Sequence, residues 1–205
     1  MARSKSSKKW LAEHFDDEFV QRAQKLGLRS RAAFKLEELQ NKYKLIQPGM
    51  TVVDLGAAPG GWLQLVVRWL KGRGHAVGLD LLPIEPLEGA LLIEGDFTED
   101  GPLAALTDAL EGRKVDLVLS DMAPDISGMR AVDQPRAMYL AELALDFARQ
   151  HLRSGGSMVV KVFQGEGFDE WMAAIRQDFS TVSVVKPKAS RPRSREVYVL
   201  ARSAR

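Results

Sequence analysis

Cysteine is absent from this chain of 205 residues, so disulfides, thiolate metal ligands and thiol chemistry are excluded. The only histidines, His14, His75 and His151, lack the spacing of a metal site. No apolar run approaches the roughly 18 residues of a membrane span. The basic N-terminus has no apolar segment after it, which excludes a secretory signal and gives only weak support to a mitochondrial transit peptide. We therefore expect a cytoplasmic protein with no metal site and no membrane partner.

Charge is distributed unevenly along the chain. Residues 1–44 carry 11 lysines and arginines against 6 acids, residues 45–185 carry 11 against 20, and residues 186–205 carry 7 against 1. Basic ends on an acidic body favour contact with a polyanion, although solvated tails are the alternative. The length and a hydrophobic content of 45% fit one domain over 1–205. Within it we expect a basic helical extension at 1–44 and a catalytic core at 45–205 with a basic loop at 186–195.

The stretch from Val52 to Trp62, VVDLGAAPGGW, has the pattern of a strand, a glycine-rich turn and the start of a helix. This is typical of the first strand, loop and helix of a nucleotide-binding α/β domain. The stretch has neither G-x-G-x-x-G nor a Walker lysine, and Pro59 removes an N–H group that could bind pyrophosphate. A ligand with adenosine but no phosphate fits better, and S-adenosylmethionine is such a ligand.

Apolar segments with strand-like and helix-like spacing alternate after this motif. The alternation predicts a Rossmann-like α/β fold, with a seven-stranded, mostly parallel sheet and helices on both faces. The last two strands, 181–185 and 196–201, leave no room for a helix between them, so we expect one late antiparallel strand. Ser30 is a predicted N-cap for a helix over 31–43. Further strands are predicted at 51–55, 76–80, 90–94, 115–120 and 157–163, and further helices at 10–27, 60–71, 101–111, 133–152 and 167–178.

Acidic residues close three of the predicted strands. Asp80 is placed to accept hydrogen bonds from ribose hydroxyls, and Asp96 from an adenine amino group beside the apolar Phe97. Asp121 follows the fourth strand. Each acid alone could be a turn or cap residue. Together, at successive strand ends after a glycine turn, they favour a ligand site.

Lys161 lies in an otherwise apolar strand, where a lysine is seldom buried unless it is paired. We expect it to face the active cleft beside Asp121, with an exposed edge strand as the alternative. Lys35, within a predicted helix, and Glu196, at the start of a strand, have ordinary surroundings in the sequence.

The chain resembles the FtsJ/RrmJ (RlmE-type) family of ribosomal RNA ribose 2′-O-methyltransferases from Ser7 to Tyr198. The segments that carry the resemblance are RSRAAFKL at 29–36, DLGAAPGGW at 54–62, LSDMAP at 119–124 and KVFQG at 161–165. The resemblance implies a catalytic tetrad of Lys35, Asp121, Lys161 and Glu196. It implies cofactor contacts from Gly60, Trp62, Asp80, Asp96 and Asp121.

The resemblance also implies S-adenosylmethionine-dependent 2′-O-methylation of a uridine ribose in the A loop of large-subunit ribosomal RNA. The assembled large subunit is the expected substrate, and we expect a monomer. The alternatives are a methyltransferase for another RNA, such as transfer RNA or a messenger cap, and a non-catalytic RNA-binding factor in ribosome assembly.

In this chemistry a ribose 2′-oxygen attacks the sulfonium methyl group in line, and its proton must be removed. Lys161 is the candidate general base, although a free lysine is protonated at neutral pH and the carboxylates would favour that form. If they prevail, Lys161 orients the hydroxyl instead. Basic residues of both ends are expected to bind phosphates. They are Lys5, Lys8, Lys9, Arg29, Arg31, Lys188, Arg191, Arg193 and Arg195.

Overall fold

The computed structural model of the chain describes residues 17–191 and 194–205. Its strands are β1 Thr51–Leu55, β2 His75–Asp80, β3 Leu91–Glu94, β4 Val115–Ser120, β5 Leu152–Phe163, β6 Phe179–Val185 and β7 Glu196–Ala204. Its helices are α1 Glu18–Lys25, α2 Ala33–Tyr43, α3 Gly61–Leu70, α4 Asp100–Ala109, α5 Arg130–His151 and α6 Phe168–Asp178. None of these helices is both long and apolar enough to cross a membrane.

All seven strands form one sheet in the order β3-β2-β1-β4-β5-β7-β6. The first five strands in this order pair in parallel. β7 lies between β5 and β6 and runs antiparallel to both. The expected Rossmann-like sheet with one late antiparallel strand is therefore confirmed.

Side chains of successive strand residues point to opposite faces of the sheet, and each face is covered by helices. Val53 and Leu55 of β1 belong to the core under α4, α5 and α6. Val52 belongs to the core under α2 and α3. Helices on both faces cover the middle of the sheet, and for this reason the central strand β1 has no exposed residue.

Most predicted element boundaries agree with the structure to within a few residues, but the beginning of the chain differs. Residues 10–16 of the first predicted helix lie outside the described residues, and α1 begins at Glu18 after an Asp17 cap that accepts from the Phe19 N–H. The Ser30 cap is wrong. Helix α2 begins at Ala33, two residues later than expected, and its cap position is Ala32, without a side-chain hydrogen bond. Ser30 instead packs its hydroxyl over Gly61.

Candidate active site

The site lies at the carboxyl edge of the sheet, where the strand order reverses between β1 and β4. Leu55 pairs with Leu79 on one side and with Ser120 on the other. The residues that follow these three are Gly56, Asp80 and Asp121, which therefore lie side by side at the edge of the sheet. Ligands of open α/β sheets bind at this switch point. The sheet thus brings together two of the acids that the sequence singled out.

A cavity of about 360 Å³ opens at this edge. Asp80, Asp96 and Asp121 all line it, and Phe97 supplies an apolar wall together with exposed leucines of the loop after β2. The two β2-loop leucines, Leu81 and Leu82, are 63% and 64% exposed. Asp125 is a fourth acid of the cavity lining. A pocket with four carboxylates and several apolar side chains fits a ligand that combines a flat apolar base, hydroxyls and positive charge.

Two of these carboxylates are already oriented by main-chain hydrogen bonds. Asp80 accepts from the N–H of Ala58 (2.8 Å) and from the N–H of Leu82 (2.9 Å). One oxygen of Asp96 accepts from the N–H and the hydroxyl of Thr98 (2.8 and 2.7 Å). Each carboxylate oxygen has two lone pairs, so these contacts fix the direction of the acids and leave acceptor capacity for ligand hydroxyls or amino groups.

Gly60 and Trp62, which the family resemblance marks as cofactor contacts, do not line this cavity. Trp62 is buried, its indole N–H donates to the carbonyl of Ala32 (2.8 Å), and its ring packs on Tyr198 with the centroids 5.7 Å apart. Gly60 is covered by the side chain of Arg29. The structure therefore places the Trp62 ring behind the site rather than in it.

The four residues of the implied tetrad come together beside this cavity. Lys35 lies on α2, and Asp121 follows β4. β5 carries Lys161 and pairs with β7 so that Phe163 faces Glu196. Because β7 is antiparallel, its first residue lies at the same edge where the parallel strands end. This explains how an acid at a strand start joins acids at strand ends.

A continuous chain of polar contacts joins the tetrad through Tyr198. The Lys35 ammonium pairs with Glu196 (2.8 Å) and donates to the Tyr198 hydroxyl (3.0 Å). Tyr198 donates to Asp121 (2.7 Å), which pairs with Lys161 (3.1 Å). Lys161 also donates to the main-chain carbonyl of Asp121. The side chain of Lys161 is only 8% exposed, so the exposed edge strand considered as an alternative is not observed.

Tyr198 is the member of the site that the sequence analysis missed. It is completely buried, and a buried tyrosine hydroxyl requires a partner. Its position was a usable signal, because it lies two residues after Glu196 on a strand and so shares its face. Burial and the negative charges of Asp121 and Glu196 raise the pKa of Tyr198 well above its usual value. Tyr198 is thus a neutral hydrogen-bond relay.

The two acids of the tetrad remain ionised despite partial burial. Burial raises the pKa of Asp121, but the charges of Lys161 and Lys35 and the hydrogen bond from Tyr198 outweigh it and lower the pKa overall. Burial also raises the pKa of Glu196, but the charge and hydrogen bond of Lys35, the charge of Lys161 and a hydrogen bond from Ser190 together outweigh it and lower the pKa overall. Two carboxylates and two lysine amines are therefore joined within one network.

A second cavity, of about 630 Å³, lies on the other side of this network. Lys35 and Glu196 line it, together with the apolar side chains of Phe163 and Ile126. Its rim is basic and includes Arg31, Arg130, Arg191 and Arg195. The network has one end in each cavity, since Asp121 lines the first and Lys35 and Glu196 line the second.

Two arginines expected to bind phosphates are engaged within the protein. Arg31 pairs with Asp17 (2.9 Å) and donates to the Ala189 carbonyl (2.7 Å). Arg29 donates to carbonyls of two loops. Arg195 is exposed at the cavity rim. Lys5, Lys8, Lys9 and Arg193 lie outside the described residues.

A further acid, Asp54, is buried within β1, two residues before the Gly56 position at this edge. It pairs with Gly78 on one side and with Leu119 on the other, two positions before Asp80 and Asp121. Neither carboxyl oxygen has a hydrogen-bond partner among the described residues. Burial, and then the charges of Asp121 and Asp80, raise the pKa of Asp54 well above its usual value. Stability alone does not favour such a group.

The fold and the site define the class of protein. A mostly parallel sheet with one antiparallel strand, a glycine turn and acids around a cavity at the switch point is a Rossmann-like methyltransferase architecture. The model of the FtsJ-like methyltransferase family matches residues 28–204. The chain belongs to this family.

Individual relatives agree with this assignment. The chain is 62% identical over 200 residues to the ribosomal RNA large subunit methyltransferase E of Alkalilimnicola ehrlichii, covering 98% of this chain and 96% of that protein. A crystal structure of a candidate ribosomal RNA methyltransferase from Plasmodium falciparum superimposes with a TM-score of 0.77 at 27% identity, over 86% of this chain and 98% of that chain. A candidate rRNA methylase from Clostridium thermocellum, at 16% identity and a TM-score of 0.52, shares the fold.

Replacing Asp54 tests whether the pKa of its buried carboxyl group is raised in the folded protein. Because the pKa of Asp54 is raised in the folded protein, the folded state binds more protons than the unfolded state above about pH 4, and stability falls as the pH rises. We expect Asp54→Asn to be more stable than the parent at pH 8 and to lose this advantage towards pH 4. Denaturant unfolding across this range measures the difference, with the exposed Asp108→Asn as the matched control. Parallel pH curves for parent and Asp54→Asn would contradict the assignment.

Proposed function

We propose that this protein transfers a methyl group from S-adenosylmethionine to the ribose 2′-hydroxyl of an RNA nucleotide. The cofactor would bind in the acidic cavity and the acceptor nucleotide in the basic one. The network from Glu196 to Lys161 carries the proposal, because it links the two cavities. Asp121 lines the first cavity, and Lys35 and Glu196 line the second.

The first cavity suits the proposed cofactor in its chemistry. Asp80, Asp96, Phe97 and Asp121 line it. In this proposal Asp80 accepts from the ribose hydroxyls, Asp96 accepts from the adenine amino group beside the apolar Phe97, and Asp121 adds negative charge. When bound, the cofactor supplies an electrophilic methyl group on a good leaving group. The protein then has to align the acceptor oxygen and manage its proton.

Lys161 is the proposed group at the acceptor hydroxyl. Its amine makes two contacts, to a side-chain oxygen and to the main-chain carbonyl of Asp121. A neutral amine has two N–H groups and one lone pair, so these contacts would leave the lone pair available to take the proton. An ammonium would have one N–H left to orient the hydroxyl. Tyr198, which accepts from Lys35, donates to the same Asp121 oxygen that pairs with Lys161 and so helps to fix the direction of Asp121.

The acceptor is proposed to be a uridine in the A loop of large-subunit ribosomal RNA, on the assembled subunit. The similarity to a large-subunit ribosomal RNA methyltransferase supports this choice. The basic rim and the net positive charge of both chain ends support a polyanionic partner. The proposed substrate agrees with the expected cytoplasmic location.

The choice of RNA is tested by offering purified large subunits lacking the modification, transfer RNA and capped RNA in parallel with labelled S-adenosylmethionine. We expect label in the large subunits only, at a ribose 2′-oxygen of one uridine, located by primer extension at low nucleotide concentration. Label in transfer RNA or in the cap instead would show that this other RNA is the substrate. No label in any of them would favour the non-catalytic assembly factor.

Replacement of Asp80 tests the cofactor site. Loss of its hydrogen bonds to a charged acceptor should weaken S-adenosylmethionine binding by about 1.5–3 kcal/mol in Asp80→Ala. Calorimetric titration measures this change. Asp108→Ala, at an exposed position of α4, is the control and should bind as the parent does. An affinity of Asp80→Ala equal to the parent's would reject this placement.

Replacement of Lys161 distinguishes the two roles of its amine. Lys161→Ala should abolish methyl transfer while cofactor binding persists. Lys161→Arg should also be inactive if the residue is a base, because a guanidinium keeps its proton at any usable pH. Single-turnover assays with saturating cofactor measure the rate, and calorimetry confirms that the cofactor site is intact. Substantial activity in Lys161→Arg would leave Lys161 as an orienting cation.

A further inference from the structure

The segment from Gly27 to Ala32 lies directly against the glycine turn and the start of α3. The side chain of Gln64 on α3 accepts from the main-chain N–H of Arg29 (3.0 Å) and donates to the carbonyl of Gly27 (2.9 Å). The indole of Trp62 donates to the carbonyl of Ala32 (2.8 Å). This segment leads into α2, which carries Lys35, so the acceptor side of the site is attached to the cofactor side here.

The consecutive glycines of the turn make room for this segment. A Cβ on Gly61 would overlap the hydroxyl of Ser30. A Cβ on Gly60 would lie 2.7 Å from a guanidinium nitrogen of Arg29 and 3.2 Å from a methyl carbon of Ile84. Gly60 also has a φ of +100°, which L side chains rarely adopt. A side chain at either position would displace Arg29 or Ser30, so both glycines serve the packing of this segment, in addition to any contact with a ligand.

The Arg29 side chain joins two loops through their carbonyl groups. One terminal nitrogen donates to Glu85 (2.7 Å) and more weakly to Pro59 (3.4 Å), and the other donates to Pro86 (2.8 Å). Pro59 belongs to the glycine turn, and the other two carbonyls belong to the loop between β2 and β3. A guanidinium presents five N–H donors in a rigid fork, which suits several fixed acceptors at once.

The loop that Arg29 holds forms part of the cofactor cavity. Leu81 and Leu82 line this cavity at the start of the loop and are largely exposed. Ile84 and Leu87 pack on the core, and Asp80 holds the N–H of Leu82. Arg29 holds the middle of the loop, because its side chain donates to the carbonyls of Glu85 and Pro86 from its position beside the glycine turn.

We propose that Arg29 is a positioning residue of the cofactor site, which sets the loop after β2 against the glycine turn, and is not a phosphate contact. The inference rests on the proposed function, because it assumes that the cofactor occupies the cavity beside Asp80. It assigns the basic residue at position 29 to the donor side of the reaction and leaves RNA binding to exposed residues such as Arg195.

The proposal predicts that replacing Arg29 weakens ligand binding and that replacing Arg195 does not. We expect Arg29→Ala to weaken binding of S-adenosylhomocysteine, measured by calorimetry, by about 10- to 100-fold, the effect of losing charge-assisted hydrogen bonds. Arg29→Lys should be nearly as weak, because one ammonium cannot replace a fork that reaches carbonyls on two loops. Arg195→Ala should bind this ligand as the parent does.

The RNA side is measured on the same proteins with a fluorescent single-stranded RNA of 20 nucleotides at several salt concentrations. Arg29→Ala should keep the salt slope of the parent, whereas Arg195→Ala should lower it by about 0.7, the value for one lost phosphate contact on a single strand. Hydrogen exchange supplies a second readout, because amides of residues 82–90 should exchange faster in Arg29→Ala while those of β4 should not change.

Each result has a defined meaning. Unchanged S-adenosylhomocysteine affinity in Arg29→Ala, with a shallower salt slope, would make Arg29 a phosphate contact and overturn the proposal. Faster exchange throughout the sheet, together with a lower melting temperature, would also overturn it in favour of a general structural role. Failure of the parent protein itself to bind the ligand would instead reject the proposed cofactor.

Discussion

The placement of β7 is the constraint on which the rest of the site depends. This strand runs antiparallel between β5 and β6, so its first residues lie at the edge where the parallel strands end. Glu196 and Tyr198 share one face of it and reach Lys35 and Asp121. A parallel strand in the same place would bring its last residues to this edge instead, and the network would lose Glu196 and Tyr198.

Pairing with carboxylates explains why two lysines can lie together in a largely buried place. Each lysine amine has a carboxylate partner, and the buried Tyr198 hydroxyl connects the two pairs. Burying a charge without a partner is costly, whereas a fully satisfied network is rigid and keeps each group in one direction. Asp54 shows the opposite case, since it is buried without a partner among the described residues and its pKa is raised.

The segment before α2 connects the two sides of the candidate site. Residues 27–32 contact the glycine turn and α3, and the helix that follows carries Lys35. The glycines of the turn therefore serve a packing role as well as the ligand role that their sequence pattern suggests. One short stretch of chain therefore joins the glycine turn to the helix of Lys35 through a few hydrogen bonds.

The sequence by itself determined the fold class, the order of the strands and helices, and the acids at the strand ends, because these follow from local periodicity and from the edge that parallel strands share. The family resemblance supplied Lys35 and Glu196, which have ordinary neighbours in the sequence. Only the tertiary structure decided that Tyr198 links the tetrad, that Trp62 turns away from the cavity, that Ser30 packs on Gly61 rather than capping α2, and that Arg29 holds two loops. These depend on contacts between residues about 30 to 160 positions apart, and no local pattern records which distant carbonyl or hydroxyl a side chain will meet.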